Sequence, residues 1–548
     1  MNWKEYYKQH LMSAEDAVNH IQSGNRVVVA HACGEPSYLL DVMVANAKAY
    51  KDVEIVHMVA MGKAEYCKPE YAENFRHNAF FVGGTSRDAI AEGRGDFTPS
   101  FFFEVPRQFS STMPVDVAMV MVTPPDENGM CSLGVSVDYT LEAVKQAKLV
   151  IAQVNPQMPW TGPYSLVSVK DLDCIVEHEA PIIELKPPKI GDIEKAIGEH
   201  CASLVPDGAT LQLGIGAIPD AVLLFLKHKK DLGIHSEMFS DGVVELAEAG
   251  VITNAKKTLH PGKFEVAFLM GTRRLYDFVD HNPDVELRPV DYVNNPFVIA
   301  QNENMVSINS CVQVDLMGQV ASESIGPKQI SGVGGQVDFV RGASASKGGV
   351  SIMAMPSTVK GKISKIVPLL DEGAAVTPSR NDVDYIVTEY GVALGLTDFS
   401  GTVGGNISGT SDLAPLDQQA DMIVEWMPDA KKVGLLYCSA EANSQYQVDE
   451  VQKYLEAKGV TATQYAFSDS NDLSSVCQKA ADENDALYVP TDNTVAANTG
   501  IVDGICRPAK KPVFAGEEGI CSGCGVATLS ISYYDLGYTT GEMAVKIL

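Results

Sequence analysis

Short apolar runs of four to seven residues recur along the chain, each bounded by glycine, proline or small polar residues and followed by a segment of helical period. Val27–Ala30, Leu149–Val154 and Thr210–Leu213 read as strands, and Val117–Val122, continuous in apolar residues, as a buried one. Ser13, ahead of Asp16, predicts a capped helix reaching about Gln22, and Tyr139–Ala147 predicts another. Strands alternating with helices imply α/β architecture with largely parallel sheets.

The pattern repeats. SGNRVVVAHACGEPSYLL is echoed by DGATLQLGIGAIPDAVLL, and DVEIVHM by LGIHSEM, at an offset of about 180 residues. Each copy reads as strand, small-residue turn, proline, helix, strand. A second echo places the turn Asp315–Gly318 opposite Asp126–Gly129. Two similar α/β halves follow, 1–188 and 189–394, with Pro187-Pro188-Lys189 as the linker. His57 then holds in the first half the place that Glu237 holds in the second.

That second copy carries the candidate chemistry. Thr210–Leu213 predicts a strand, Gly214 and Gly216 a turn, Pro219–His228 a helix and Gly233–Glu237 a second strand. Glycines let backbone approach a ligand, and a helix N-terminus offers N–H groups to an oxygen. Glu237 falls at the carboxyl end of its strand, the side on which open α/β sheets bind ligands. A carboxylate beside backbone donors has the makings of a nucleophile with its oxyanion stabilised; the alternative is an ordinary surface glutamate after a strand. Farther on, Gly332, Gly334 and Gly335 predict a loop able to close over a bound group. There Gln336 can donate its amide, Asp338 can cap and Arg341 can meet a negative charge; the alternative is a flexible connection. Ser379–Asp382 precedes a strand at Tyr385–Thr388.

The text changes near residue 395. A Gly/Ser/Thr-rich passage runs into a strand at KVGLLYC, a helix over Asn443–Gly459, a strand at TATQYAF, a helix over Asp472–Glu483, and strands in ALYVPTDN and KPVFAGEEG. This is a βαβ domain over 395–548 whose loops present Ser439, Asp492, Asn493 and Glu517-Glu518 at strand ends, either as a ligand site or as ordinary polar turns. A last strand and helix are expected in VATLSISYYDLGYTTGEMAVKIL.

At 548 residues about three or four domains are expected, and 45% hydrophobic with 20% charged residues is a globular composition. The net charge of −28 argues against nucleic acid and anionic membranes, though not against a small anionic ligand met by local N–H groups. The start is polar and amphipathic, without a signal peptide, and no later run approaches a membrane span. The eleven scattered cysteines read as free thiols of a cytoplasmic protein. Cys131 and Cys311 belong to core strands, and Cys521-Ser-Gly-Cys524 lacks the partners of a zinc site and does not open an obvious helix.

With Glu237 and both glycine loops in hand, residues 1 to about 393 resemble the family I CoA-transferases of the acetyl-CoA hydrolase/transferase group. The resemblance rests on LQLGIGAIPDAV, HSEMFSDGVV, FLMGTRRLYDF, PVDYVNNP, SGVGGQVDFVRGA, SRNDVDYIVTEYG and PPDENGMCSLGVSVDYT. The branch acting on 4-hydroxybutyrate fits best, ahead of the branch that passes CoA from butyryl-CoA to acetate. The resemblance implies that Glu237 attacks an acyl-CoA thioester and goes on to carry CoA as a glutamyl thioester in a ping-pong cycle, with hydrolysis by water as a variant. It implies CoA contacts at Gly214, Ile215, Gly216, Ala217, Ile218, Val312 and Gly335. CoA is a substrate, no metal or tightly bound cofactor is implied, the partners are acyl-CoA and short carboxylic acids, and the assembly is a homodimer. From about Gly395 the chain instead resembles ABC-transporter substrate-binding proteins of the tryptophan/tyrosine type. The expected architecture is two similar open α/β CoA-transferase domains followed by a smaller βαβ periplasmic-binding-protein-like domain. Neither portion looks whole, so the chain reads as two incomplete proteins joined at about 393–397, the tail being a non-catalytic fragment.

Overall fold

The valine-rich run Arg26–Val29 (β1) lies in the middle of a seven-stranded sheet. In this computed structural model residues 2–394 and 415–530 are described. The chain divides into two units, 1–407 and 408–548. In the first unit β1 is joined by Val53–His57 (β2), Phe75–Ala79 (β3), Gly95–Phe97 (β4), Val117–Val122 (β5), Leu149–Val154 (β6) and Cys174–Glu177 (β7). The spatial order is β4-β3-β2-β1-β5-β6-β7, parallel throughout. Every residue of β5 is buried, as its unbroken apolar run requires of a strand covered on both faces.

The second sheet of this unit uses Thr210–Leu213 (β8), Gly233–Ile234 (β9), Met305–Ser310 (β10), Val350–Ala354 (β11), Tyr385–Thr388 (β12) and Gly391–Leu394 (β13). Its order is β9-β8-β10-β11-β12-β13, parallel except for the last pair. The run β2-β1-β5-β6-β7 of the first sheet is thus repeated as β9-β8-β10-β11-β12. The echoed turns share detail as well. Asp126 Oδ1 accepts the N–H groups of Asn128 and Met130, and Asp315 Oδ1 those of Met317 and Gln319. Gly129 and Gly318 close the two turns at φ 79° and 82°.

Element bounds differ from the sequence reading in several places. The helix capped by Ser13 ends at Val18. Asp192–Ser203 (α1) packs on Ala217–Phe225 (α2) so closely that a Cβ on Gly198 would stand 2.7 Å from the Ala221 carbonyl carbon. α2 starts two residues ahead of Pro219, because Gly216 takes φ 122° and turns the chain straight into the helix. Pro219 still lies in the first turn, where no N–H is needed. The strand toward Glu237 stops at Ile234. His235 then bridges to Glu265, and Met238–Phe239 pairs with Phe268–Leu269, so Glu237 sits where the chain leaves one sheet for another pairing.

The second unit has the predicted strands Lys432–Cys438 (β14), Thr461–Phe467 (β15), Ala486–Val489 (β16) and Val513–Ala515 (β17), with Ala527–Thr528 (β18), in the order β15-β14-β16-β17-β18. Ala442–Ala457 and Ser470–Glu483 are its long helices. Cys521 and Cys524 do lie in a helix, Glu518–Cys524, which Glu517 caps. The predicted closing helix falls outside the described residues. No described helix is long and apolar enough to cross a membrane.

Candidate functional site

Glu237 follows two fully buried residues, His235 and Ser236. Its own backbone oxygen accepts the N–H groups of Ala267 and Phe268, which fixes the Cα. Its Oε2 accepts from Asn294 Nδ2 at 2.8 Å, and that amide also reaches Asp338 Oδ2 at 3.4 Å. The glycine loop lies against the same carboxylate, since a Cβ on Gly335 would fall 1.8 Å from Glu237 Oε2 and 2.4 Å from Asn294 Nδ2. Only a glycine leaves room there for backbone and carboxylate together.

Desolvation raises the Glu237 carboxyl to about 7, against the opposing pull of the Asn294 hydrogen bond, the His31 charge and the Gly335 N–H; Asp138 adds to the rise. Asp338, buried beside it, is pushed well above the usual carboxylate range by burial first and the Glu237 charge second. Two carboxyls in one poorly hydrated site make a raised pair, a feature that concentrates at reactive centres.

His31 comes from the first half, just after β1. Its Nδ1 faces Asp138 Oδ2 at 3.2 Å, and both residues are buried. Its Nε2 has no partner among the described residues; neither do Asn294 Oδ1, Asp338 Oδ1 and Gln336 Oε1. Unsatisfied buried polar atoms on His31, Asn294 and Asp338 thus stand in the neighbourhood of the Glu237 carboxylate, where such groups call for a partner.

Other predicted residues fall elsewhere. The Gly214 N–H is spent on Ile308 O, whereas α2 starts at Ala217 without a side-chain cap on the N–H groups of its first turn. Ile215 is exposed, and the Val312 N–H pairs with Ala321 O. Asp338 does not cap its own helix; its Oδ2 accepts the Phe103 N–H at 3.2 Å and flanks Asn294. Arg341 lies 3.3 Å from Asp382 and over the Phe101 ring at 4.9 Å. Gln336 does donate its amide, but to Ser310 O. His57, the counterpart of Glu237, is buried between Tyr66 and Glu35. In the second unit the strand-end side chains bond to backbone and side chains of the unit itself. Asp492 accepts from Cys438 N and Val495 N, Asn493 donates to Glu441, Ser439 donates to Phe467 O, and Glu517 caps a helix. The sequence reading passed over His31, Asp138 and Asn294. NNP within PVDYVNNP was the available signal for Asn294, but nothing in linear order joins it to Glu237.

Residues 1–186 match the acetyl-CoA hydrolase/transferase N-terminal domain and 271–397 its C-terminal domain, so Glu237 lies between the two matched stretches. Residues 385–548 match the ABC transporter substrate binding protein family, overlapping by 13 residues. The chain is 66% identical over 395 residues to the 4-hydroxybutyrate coenzyme A transferase of Clostridium kluyveri, covering 72% of this chain and 92% of that protein. It resembles the crystal structure of 4-hydroxybutyrate CoA-transferase from Porphyromonas gingivalis at 44% identity and TM-score 0.63, over 73% of this chain and 93% of that one. The tail is 35% identical over 145 residues to a tyrosine-binding protein of Clostridioides difficile, 26% of this chain and 42% of that protein.

Proposed function

Because the chain belongs over its first 397 residues to the acetyl-CoA hydrolase/transferase family of CoA-transferases, we propose that Glu237 is its nucleophile and that it moves CoA from acetyl-CoA or butyryl-CoA to a short carboxylic acid such as 4-hydroxybutyrate. The observation that carries this is the Glu237 carboxylate wedged against Gly335 and held by Asn294, with its pKa raised to about 7. A Glu237 oxygen attacks the thioester carbonyl carbon, the C–S bond breaks, and CoA leaves as thiolate with the electron pair. The thiolate attacks the glutamyl carbonyl of the resulting anhydride and expels the first acid as its carboxylate. The acceptor carboxylate then attacks the glutamyl-CoA thioester, and the same steps run in reverse to release its CoA ester and restore Glu237. Each covalent state is an activated acyl group of similar energy, so none is a trap, and the kinetics are ping-pong. N–H groups of Gly335 and of the turn around Gly216 supply the oxyanion and CoA contacts. Water in place of the acceptor gives hydrolysis.

Intact mass and peptide mapping after incubation with acetyl-CoA or butyryl-CoA, without acceptor, test this. A CoA-sized adduct is expected on the peptide holding Glu237 and absent in Glu237→Ala; a folded protein that turns over equally well as Glu237→Ala would sink the proposal. For the tail, 395–548, the resemblance favours a non-catalytic domain able to bind an aromatic amino acid. Calorimetric titration with tyrosine and tryptophan should give heat on that reading, and silence with both counts against it.

A further inference from the structure

Two residues before Glu237, the His235 ring is fully buried and faces an acceptor at each nitrogen. Nε2 lies 2.8 Å from Val293 O and Nδ1 3.3 Å from Glu265 Oε2. Val293 immediately precedes Asn294, the residue that holds the Glu237 carboxylate. One imidazole therefore spans the two backbone segments whose next side chains must meet. Glu265 is itself immobilised: Lys257 Nζ is 3.0 Å from Oε2 and Arg288 Nε 3.2 Å from Oε1, while its backbone oxygen accepts the Ser236 N–H at 3.0 Å. Burial pushes the Glu265 carboxyl up, but the His235 hydrogen bond and the Lys257 charge outweigh it and hold it at about 2. His260, Glu265 and Glu286 also bring ligand atoms within 4.8 Å of one another. With Lys257 and Arg288 already on the Glu265 oxygens, that cluster is a charge-balanced anchor with no need of an added cation.

We infer that His235 is a positioning residue for glutamyl thioester formation: anchored by Glu265, it sets the distance between Glu237 and Asn294 through the Val293 carbonyl. This rests on Glu237 being the nucleophile, but it has its own test. In the full chain His235→Gln places an amide N–H near the Nε2 position and keeps the Val293 contact, whereas the amide of His235→Asn reaches only the Nδ1 position. The rate of adduct formation with butyryl-CoA should stay within about threefold of wild type for Gln and fall about 10- to 100-fold for Asn, with KM for butyryl-CoA unchanged in both, the scale expected for an ångström of misplacement. A folded Asn variant with the wild-type rate overturns the inference, as does a Gln variant that loses as much as Asn. Should the Asn variant not fold, the Gln variant decides alone: a rate within threefold supports the contact, and any larger loss from a folded chain overturns it. Absence of an adduct in the wild-type chain would strike instead at Glu237 as nucleophile.

Discussion

Gly335 takes φ −89° and ψ 4°, angles open to alanine, so its requirement is space and not conformation. Gly335→Ala should leave the chain folded but displace Glu237 from Asn294, with adduct formation falling at least about 100-fold by mass spectrometry; a wild-type rate would show that the loop stands off from the carboxylate. With Glu237 as the proposed nucleophile only its ionised form attacks, so adduct formation should rise with pH through about 7. The His31 charge lowers the Glu237 pKa, so His31→Gln should move that midpoint upward, and an unmoved midpoint would separate His31 from the site. Stability carries the opposite sign. Folded Glu237 binds its proton more tightly than an unfolded glutamate near 4.5, so its contribution is present at low pH and is lost as pH rises through about 7. Relative to Glu237→Gln, the wild type should lose on the order of 3 kcal/mol between pH 4.5 and 8, measured by denaturant midpoints. The candidate nucleophile was readable because a glutamate followed a strand beside a glycine turn. Asn294, His31 and Asp138 were not, because their roles depend on contacts 57 to 206 residues away in sequence.

α2 issues from the Gly214–Gly216 turn, so whatever seats α2 seats the cradle. Gly198→Ala would drive a methyl into the Ala221 backbone, which cannot swing aside as a flexible side chain does. It should cost about 1 to 3 kcal/mol and weaken CoA binding, measured by thermal unfolding and by KM; full stability would mean that α1 and α2 pack more loosely. Element types followed from hydrophobic period, and the repeat from matched turn chemistry at Asp126 and Asp315. Bounds were less legible. The strand into Glu237 ended early because Glu265, 30 residues beyond His235, offers that histidine another partner, and α2 began early because Gly216 adopts an angle that no periodicity records.

Each unit carries its own core: Val120, Ile234, Leu269 and Ile308 lie in that of 1–407, and Leu436, Leu487 and Val513 in that of 408–548. Calorimetry of the whole chain should therefore show two unfolding transitions. Butyryl-CoA should raise only the one that Gly198→Ala lowers, by preferential binding to the folded state; a single transition would mean that the units unfold cooperatively. Sequence by itself determined the α/β class, the internal repeat, the change of text near residue 395 and the glutamate worth testing, because hydrophobic period, turn chemistry and motif are local properties of the chain. Tertiary structure alone decided what surrounds that glutamate. His31 arrives from the other sheet, Asn294 from a loop anchored by His235, and Asp338 turns inward rather than capping its helix. Burial, and with it the raised pKa of Glu237, is a property of packed neighbours, and linear order does not say which neighbours those are.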